Sequence, residues 1–171
     1  MKRVMIVGCP GAGKSTFARK LRDRTGLPLY HLDLLWHRPD RTTVSREEFD
    51  ARLGEILQTE RWILDGNYQR TLEVRMRACD TVFLLDYPLD ICLDGAEERV
   101  GKAHEDLPWV EQAFDLEFRQ WILDFSTNSL PEIYRLLEAY RDGREVHIFH
   151  SREEADALLR GSELQGGSYV F

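Results

Sequence analysis

The sequence predicts a three-layer α/β fold, a parallel sheet with helices on both faces. Short apolar runs alternate along the chain with segments of helical period, the pattern of strands joined by crossover helices. Gly8-Cys9-Pro10-Gly11-Ala12-Gly13-Lys14-Ser15 follows one such run directly, as a glycine-rich turn between a strand and a helix. At 171 residues, 43% hydrophobic and 31% charged, the chain has the size and composition of one domain with one core.

The first strand is Val4 to Val7, and the helix after the glycine turn carries Phe17 and Leu21 on its buried side. Gly26-Leu27-Pro28 stops that helix before a second strand, Leu29 to Leu32. A short helix begins near Asp33. Ser45-Arg46-Glu47-Glu48 fits a capping box ahead of a helix with Phe49, Leu53, Ile56 and Leu57 on one face. The third and fourth strands are Trp62 to Leu64 and Thr81 to Leu85. A helical stretch then runs from Pro88 toward Arg99, and a longer one is expected after Pro108. There Val110, Phe114, Phe118, Trp121, Ile122 and Phe125 keep a helical rhythm, which makes the aromatic stripe core packing rather than a base-stacking platform. Another helix starts at Pro131, the fifth strand is Val146 to Phe149, and Ser151 to Glu154 forms a second capping box. Residues 1–160 thus read as one domain. The tail, 161–171, has three glycines and no period and is expected to be poorly ordered and without functional content.

The spacing G-x-x-x-x-G-K-S fits a loop whose backbone amides converge on phosphate. Residues Gly8, Cys9, Pro10, Gly11, Ala12, Gly13, Lys14, Ser15 and Thr16 are the candidate ATP-binding set. Lys14 supplies a positive charge to the β and γ phosphates, and Ser15 a hydroxyl to Mg²⁺. Asp65, at the end of an apolar strand, is the first candidate for a second Mg²⁺ carboxylate, with Asp86 as competitor and ordinary turn chemistry as the bland alternative. Asp33, at a strand's carboxyl edge, is placed to meet the phosphate acceptor; the competing role is a helix N-cap. Arg70, Arg75, Arg77, Arg99 and Arg119 are candidates to clamp phosphate, although a single arginine more often lies on a solvated helix face.

The net charge of −7 argues against a broad grip on a nucleic-acid backbone. No apolar run approaches membrane-spanning length, and no cleavable leader is visible, so a cytoplasmic location is expected. Cys9, Cys79 and Cys92 form no C-x-x-C pair, which suits free thiols and no metal cluster.

Taken together, the motifs resemble the topology modulation proteins, a branch of the adenylate-kinase-like phosphate-loop kinases within the P-loop NTPase superfamily. The matching residues are Gly8 to Ser15, His31-Leu32-Asp33 with Trp36, Trp62 to Thr71, and Phe83 to Pro88. The resemblance implies five parallel strands in the order 2-3-1-4-5 and a small lid at about 91–107. Adenylate-kinase-like enzymes carry Asp-Gly-x-x-Arg-Thr after the third strand; with one residue inserted, Arg70 is the counterpart of the arginine on the acceptor phosphate. Arg99 is the lid's counterpart, among the acidic Glu97, Glu98, Glu105 and Asp106. The resemblance implies an ATP- and Mg²⁺-dependent phosphotransferase acting on a nucleoside or nucleotide, with Lys14, Asp33, Arg70 and Arg99 catalytic. The alternative is an ATP-binding regulator with little phosphoryl transfer.

Overall fold

The computed structural model describes residues 1–161. The expected sheet is present, with five strands in the order β2-β3-β1-β4-β5 and every pair parallel. They are β1 (Arg3–Gly8), β2 (Leu29–His31), β3 (Trp62–Asp65), β4 (Thr81–Leu85) and β5 (Glu145–Phe149). Interior β3 and β4 are buried at every residue and β1 at all but Arg3, because helices cover both faces and no strand position is left for water. Edge strands β2 and β5 are only partly buried.

The helices are α1 (Lys14–Thr25), α2 (Leu32–Trp36), α3 (Arg46–Leu57), α4 (Leu72–Ala78), α5 (Leu89–Glu97), α6 (Leu116–Asn128), α7 (Leu130–Ala139) and α8 (Arg152–Arg160). Both serine caps form, with Ser45 Oγ accepting from the Glu48 amide and Ser151 Oγ from the Glu154 amide, while the glutamates bond elsewhere, Glu48 to Arg38 and Arg52 and Glu154 to the His150 amide. Phe17 of α1 packs edge-on to Phe83 of β4, ring centres 5.1 Å apart, and joins the first helix to the middle of the sheet.

The structure departs from the sequence reading in several places. Helix α4 had no sequence assignment. The helix expected after Pro108 begins at Leu116, where the Asp115 carboxylate caps the Glu117 amide at 2.7 Å. Phe114 therefore lies outside it, and of the aromatic stripe only Phe125 is fully buried, with Trp121 46% exposed. The region read as a lid starts inside α5, whose Cys92 and Ala96 are buried in the core; irregular backbone runs from 98 to 115. Of the tail, 162–171 lie outside the described residues. Among the described residues all three cysteines are free and buried, and no helix is long and apolar enough to cross a membrane.

Candidate active site

The glycine turn leaves β1 at the middle of the sheet and enters α1 at Gly13, whose φ of 93° is a conformation that side-chain-bearing residues rarely adopt. Gly13 offers no side-chain cap, so the first amides of α1 remain open to an anion. Lys14 Nζ donates to the loop's own Cys9 carbonyl at 3.1 Å, which folds the ammonium over the turn.

Residues distant in sequence hold this loop. Helix α5 presses on it so closely that a Cβ on Gly11 would lie 1.9 Å from the Cys92 carbonyl oxygen. A Cβ on Gly95 would lie 2.2 Å from the Gly11 carbonyl oxygen. From the other side, buried Asn67 accepts from the Gly8 amide at 3.1 Å and donates to the Gly8 carbonyl at 2.9 Å, pairing with the strand's last residue as another backbone would.

The turn after β3 is itself built around a buried cation. Arg75 of α4 is fully buried and donates to the carbonyls of Gly66, Asn67, Tyr68 and Thr71. Burial lowers its pKa to about 9, which leaves it charged at neutral pH. It is thus neither a solvated helix residue nor a phosphate clamp; it shapes the segment that carries Asp65, Asn67 and Tyr68.

Asp65 ends β3 beside Ile6 of β1 and is 4% exposed. Its Oδ2 pairs with His31 Nδ1 at 2.8 Å, while its Oδ1 is buried with no partner. An unpaired carboxylate oxygen at the mouth of a phosphate loop fits a cation or its water shell. Asp86, the competitor, accepts from Tyr134 Oη at 2.7 Å and does not line the cleft.

Asp33 is the second residue of α2; the cap position is held by His31, so capping is not the role of its carboxylate. That carboxylate accepts from Tyr68 Oη at 2.8 Å. Burial raises the Asp33 pKa, the Tyr68 hydrogen bond opposes the rise, and the nearby Asp65 charge adds to it. Burial and Asp33 together push the Tyr68 phenol well up, so Tyr68 remains a donor at neutral pH. Its ring stacks on Phe49, centres 5.1 Å apart, with Trp36 edge-on to both.

The 98–115 segment supplies a residue that sequence reasoning counted only as local acidity. Asp106 is 3% exposed; its Oδ2 accepts from Ser15 Oγ at 2.8 Å and from Arg99 Nη2 at 2.9 Å, and its Oδ1 lies 3.7 Å from Arg19 Nη1. Burial works against its charge, but the Arg99 guanidinium and the bonds from Ser15 and Arg99 outweigh it and hold the carboxyl below its ordinary range.

One cleft of about 890 Å³ takes in the loop from Pro10 to Thr16, Asp33, Asp65, Arg99 and Asp106. Gly8 and Cys9 lie behind the loop, buried in the core side. Arg70 does not enter it. Its guanidinium forms a two-pronged pair with Asp50 of α3, at 2.6 and 2.8 Å, on the outer surface. Arg77 pairs with Glu73 and Tyr140, and Arg119 lies on the exposed side of α6. Asn67 and Tyr68 stood in the matched motif, and their strand-end position was their signal. Gly95 and Asp106 gave none, because their partners Gly11 and Ser15 lie far along the chain, and Arg75 read only as one of five arginines that could clamp phosphate.

In structure the chain matches a shikimate kinase from Bacteroides thetaiotaomicron, with TM-score 0.57 and 15% identity, over 96% of this chain and 97% of that one. A shikimate kinase from Acinetobacter baumannii in complex with shikimate matches with TM-score 0.52 and 18% identity, over 96% and 93%. With these structures the chain shares its fold, a five-stranded parallel sheet in the order 2-3-1-4-5 flanked by helices. In sequence it is 26% identical to an adenylate kinase of Thermotoga neapolitana over 91 residues, 52% of this chain. That match takes in 40% of the enzyme, so the chain spans about two fifths of the length of the curated relative it matches. No family model matches the chain.

Proposed function

We propose that the protein is an ATP- and Mg²⁺-dependent kinase of a small molecule, of nucleoside or nucleotide type, with residues 1–160 as its catalytic unit and 98–115 as its closing segment. The observation that carries this reading is the convergence of Lys14, the unpaired Asp65 oxygen and the Tyr68-held Asp33 on one cleft.

In this reading the loop amides and Lys14 bind the nucleotide's phosphates, and Ser15 and Asp65 hold Mg²⁺. When bound, the metal supplies charge neutralisation across the phosphates. Arg99, next to the loop, offsets charge on the moving phosphoryl group. The bond between the γ phosphorus and its bridging oxygen breaks as one forms to the acceptor oxygen, and ADP leaves. Asp33 orients the acceptor and takes a proton from it where the acceptor is a hydroxyl. The sequence expectation for Arg70 is not carried into this scheme, since its guanidinium is held on the surface by Asp50.

The regulator reading asks only for nucleotide binding. The cleft continues beyond the loop to Asp33, His37, Tyr68 and Trp109, a space that an ATP-only binder has no need to shape. That favours the kinase.

Phosphoryl transfer from ATP across a panel of nucleosides and nucleotides tests the proposal. Lys14→Ala is expected to abolish transfer and weaken ATP binding. Asp65→Asn is expected to lower the Mg²⁺-dependent rate by about 10² to 10³ with nucleotide affinity changed only a few-fold, and Asp86→Asn to leave both near wild type. ATP binding with no transfer to any acceptor would favour the regulator, and equal losses in Asp65→Asn and Asp86→Asn would reassign the metal carboxylate.

A further inference from the structure

The charges in the cleft are divided between its two ends. Among the described residues its lining holds two arginines, Arg99 and Arg152, and three lysines, Lys14 of the loop, Lys20 and Lys102. Arg99 reaches Ser15 through Asp106, and Arg152 Nη2 lies 2.9 Å from where a Gly95 Cβ would stand, beside Gly11. Both arginines serve the phosphate-loop end. Lys20 lies on α1 and is paired with Asp156 at 2.6 Å, and Lys102 stands one turn beyond Arg99, its amide donating to the Arg99 carbonyl at 3.1 Å.

The other end is formed by Asp33 and His37 of α2 and its exit, Tyr68 and Gln69 after β3, and Trp109 of the 98–115 segment. Burial lowers the His37 pKa, so that ring is neutral at pH 7, and its Nδ1 is buried with no partner. Trp109 stands edge-on to it, ring centres 5.0 Å apart. Arginines on the elements around this end are absent from the cleft lining and have other partners. Arg70 is held by Asp50, Arg75 by four carbonyls, Arg38 by Glu48, and Arg41 lies over Trp109 while donating to the Val110 carbonyl.

An acceptor bearing a phosphate or carboxylate needs a guanidinium or ammonium of its own, and here it would instead face the carboxylates of Asp33 and Asp65. A neutral alcohol has the opposite requirement: a carboxylate to orient and deprotonate it, with aromatic walls for a ring. The unpartnered His37 Nδ1 matches a polar edge of that ring.

Resting on the kinase reading above, we propose that the phosphate acceptor is an uncharged alcohol borne on a planar-ring compound, of the nucleoside type, and that anionic acceptors are rejected. The acceptor hydroxyl oxygen bonds to the γ phosphorus, its proton goes to the Asp33 carboxylate, and the bond to the bridging oxygen breaks to release ADP.

The test compares the common ribo- and deoxyribonucleosides with their 5′-monophosphates, and with shikimate as a carboxylate-bearing alcohol, using γ-labelled ATP and Mg²⁺. At least one nucleoside is expected to be phosphorylated with kcat/KM tenfold or more above its monophosphate and above shikimate. Asp33→Asn, which keeps a hydrogen bond to Tyr68, is expected to lower kcat on that nucleoside about 10²-fold with little change in KM. Preference for a monophosphate or for shikimate, equal use of charged and uncharged acceptors, or transfer to none while ATP still binds in a Lys14-dependent way would overturn the inference. Absence of ATP binding, measured separately by calorimetry, would instead remove the kinase reading beneath it.

Discussion

Ser15 Oγ donates to Asp106 Oδ2 across 2.8 Å, so the loop hydroxyl proposed for Mg²⁺ is held by a carboxylate from the 98–115 segment, which lines the cleft. The same oxygen takes Arg99, and the three residues form one part-buried knot between α1 and 98–115.

Cutting that knot should loosen the 98–115 segment. Asp106→Ala removes an acceptor shared by Ser15 and Arg99 and is expected to cost about 1.5–3 kcal/mol, with a fall in Tm of about 3–10 °C. The folded-state pKa of Asp106 lies below its unfolded value. The stability it contributes is therefore present above the unfolded carboxylate value of about 3.9 and is lost as pH falls through the folded one. Melts of wild type and variant should differ at neutral pH and converge in strong acid, and amide exchange over 99–110 should quicken in the variant.

The fold was legible where its determinants are local. Gly8 to Ser15 is a contiguous motif, and Val4 to Val7 or Thr81 to Leu85 are apolar runs that only a doubly covered strand explains. Ser45 and Ser151 cap helices three residues away, within reach of a pattern. What stayed hidden depends on long-range pairing: Ser15 and Asp106 are 91 residues apart, and Gly8 and Asn67 are 59. Helix α4 escaped because Arg75 and Arg77 make its seven residues read as polar surface, although Arg75 is buried. The aromatic rhythm of α6 placed Phe118, Trp121 and Phe125 correctly along a helix but could not say what covers them; Trp121 lies at the cleft edge.

Arg75 and Arg70 stand five residues apart and should behave oppositely. Arg75→Met leaves the Gly66, Asn67, Tyr68 and Thr71 carbonyls without their donor in a dry site, for an expected loss of about 3 kcal/mol or more. Arg70→Ala gives up an exposed ion pair and should cost no more than about 1 kcal/mol. Its kcat/KM is expected within about threefold of wild type. Urea unfolding with steady-state kinetics checks both, and a hundredfold activity loss in Arg70→Ala would return that arginine to the reaction.

Two glycines in helices give a matched pair. Gly95→Ala would bring a methyl group 2.2 Å from the Gly11 carbonyl oxygen and 2.9 Å from Arg152, so either α5 or the phosphate loop must retreat. A loss of about 1–3 kcal/mol is expected, with weaker ATP binding because the carbonyl that the methyl group crowds belongs to the phosphate loop. Gly54, inside α3, has nothing within 4 Å of the point where an alanine methyl would stand. Gly54→Ala should stabilise by about 0.5–1 kcal/mol and leave ATP affinity unchanged. Thermal melts with nucleotide titrations separate the two.

Asp33 should show the reverse pH behaviour to Asp106. Its folded-state pKa is raised by burial, with the Tyr68 hydrogen bond opposing, so the folded protein favours the protonated carboxyl more than the unfolded chain does. The stability linked to this group is fully present below the unfolded value of about 3.9 and is lost as pH rises through the folded value. Asparagine carries no charge at any pH and can keep a hydrogen bond to Tyr68. Asp33→Asn is therefore expected to melt higher than wild type at neutral pH and level with it in acid. In the proposed reaction the same change removes the proton acceptor, so the gain in Tm should come with a fall in kcat of about 10²-fold. A variant that melts lower at neutral pH would show that the Asp33 charge stabilises the fold, and a variant with full activity would remove Asp33 from proton transfer.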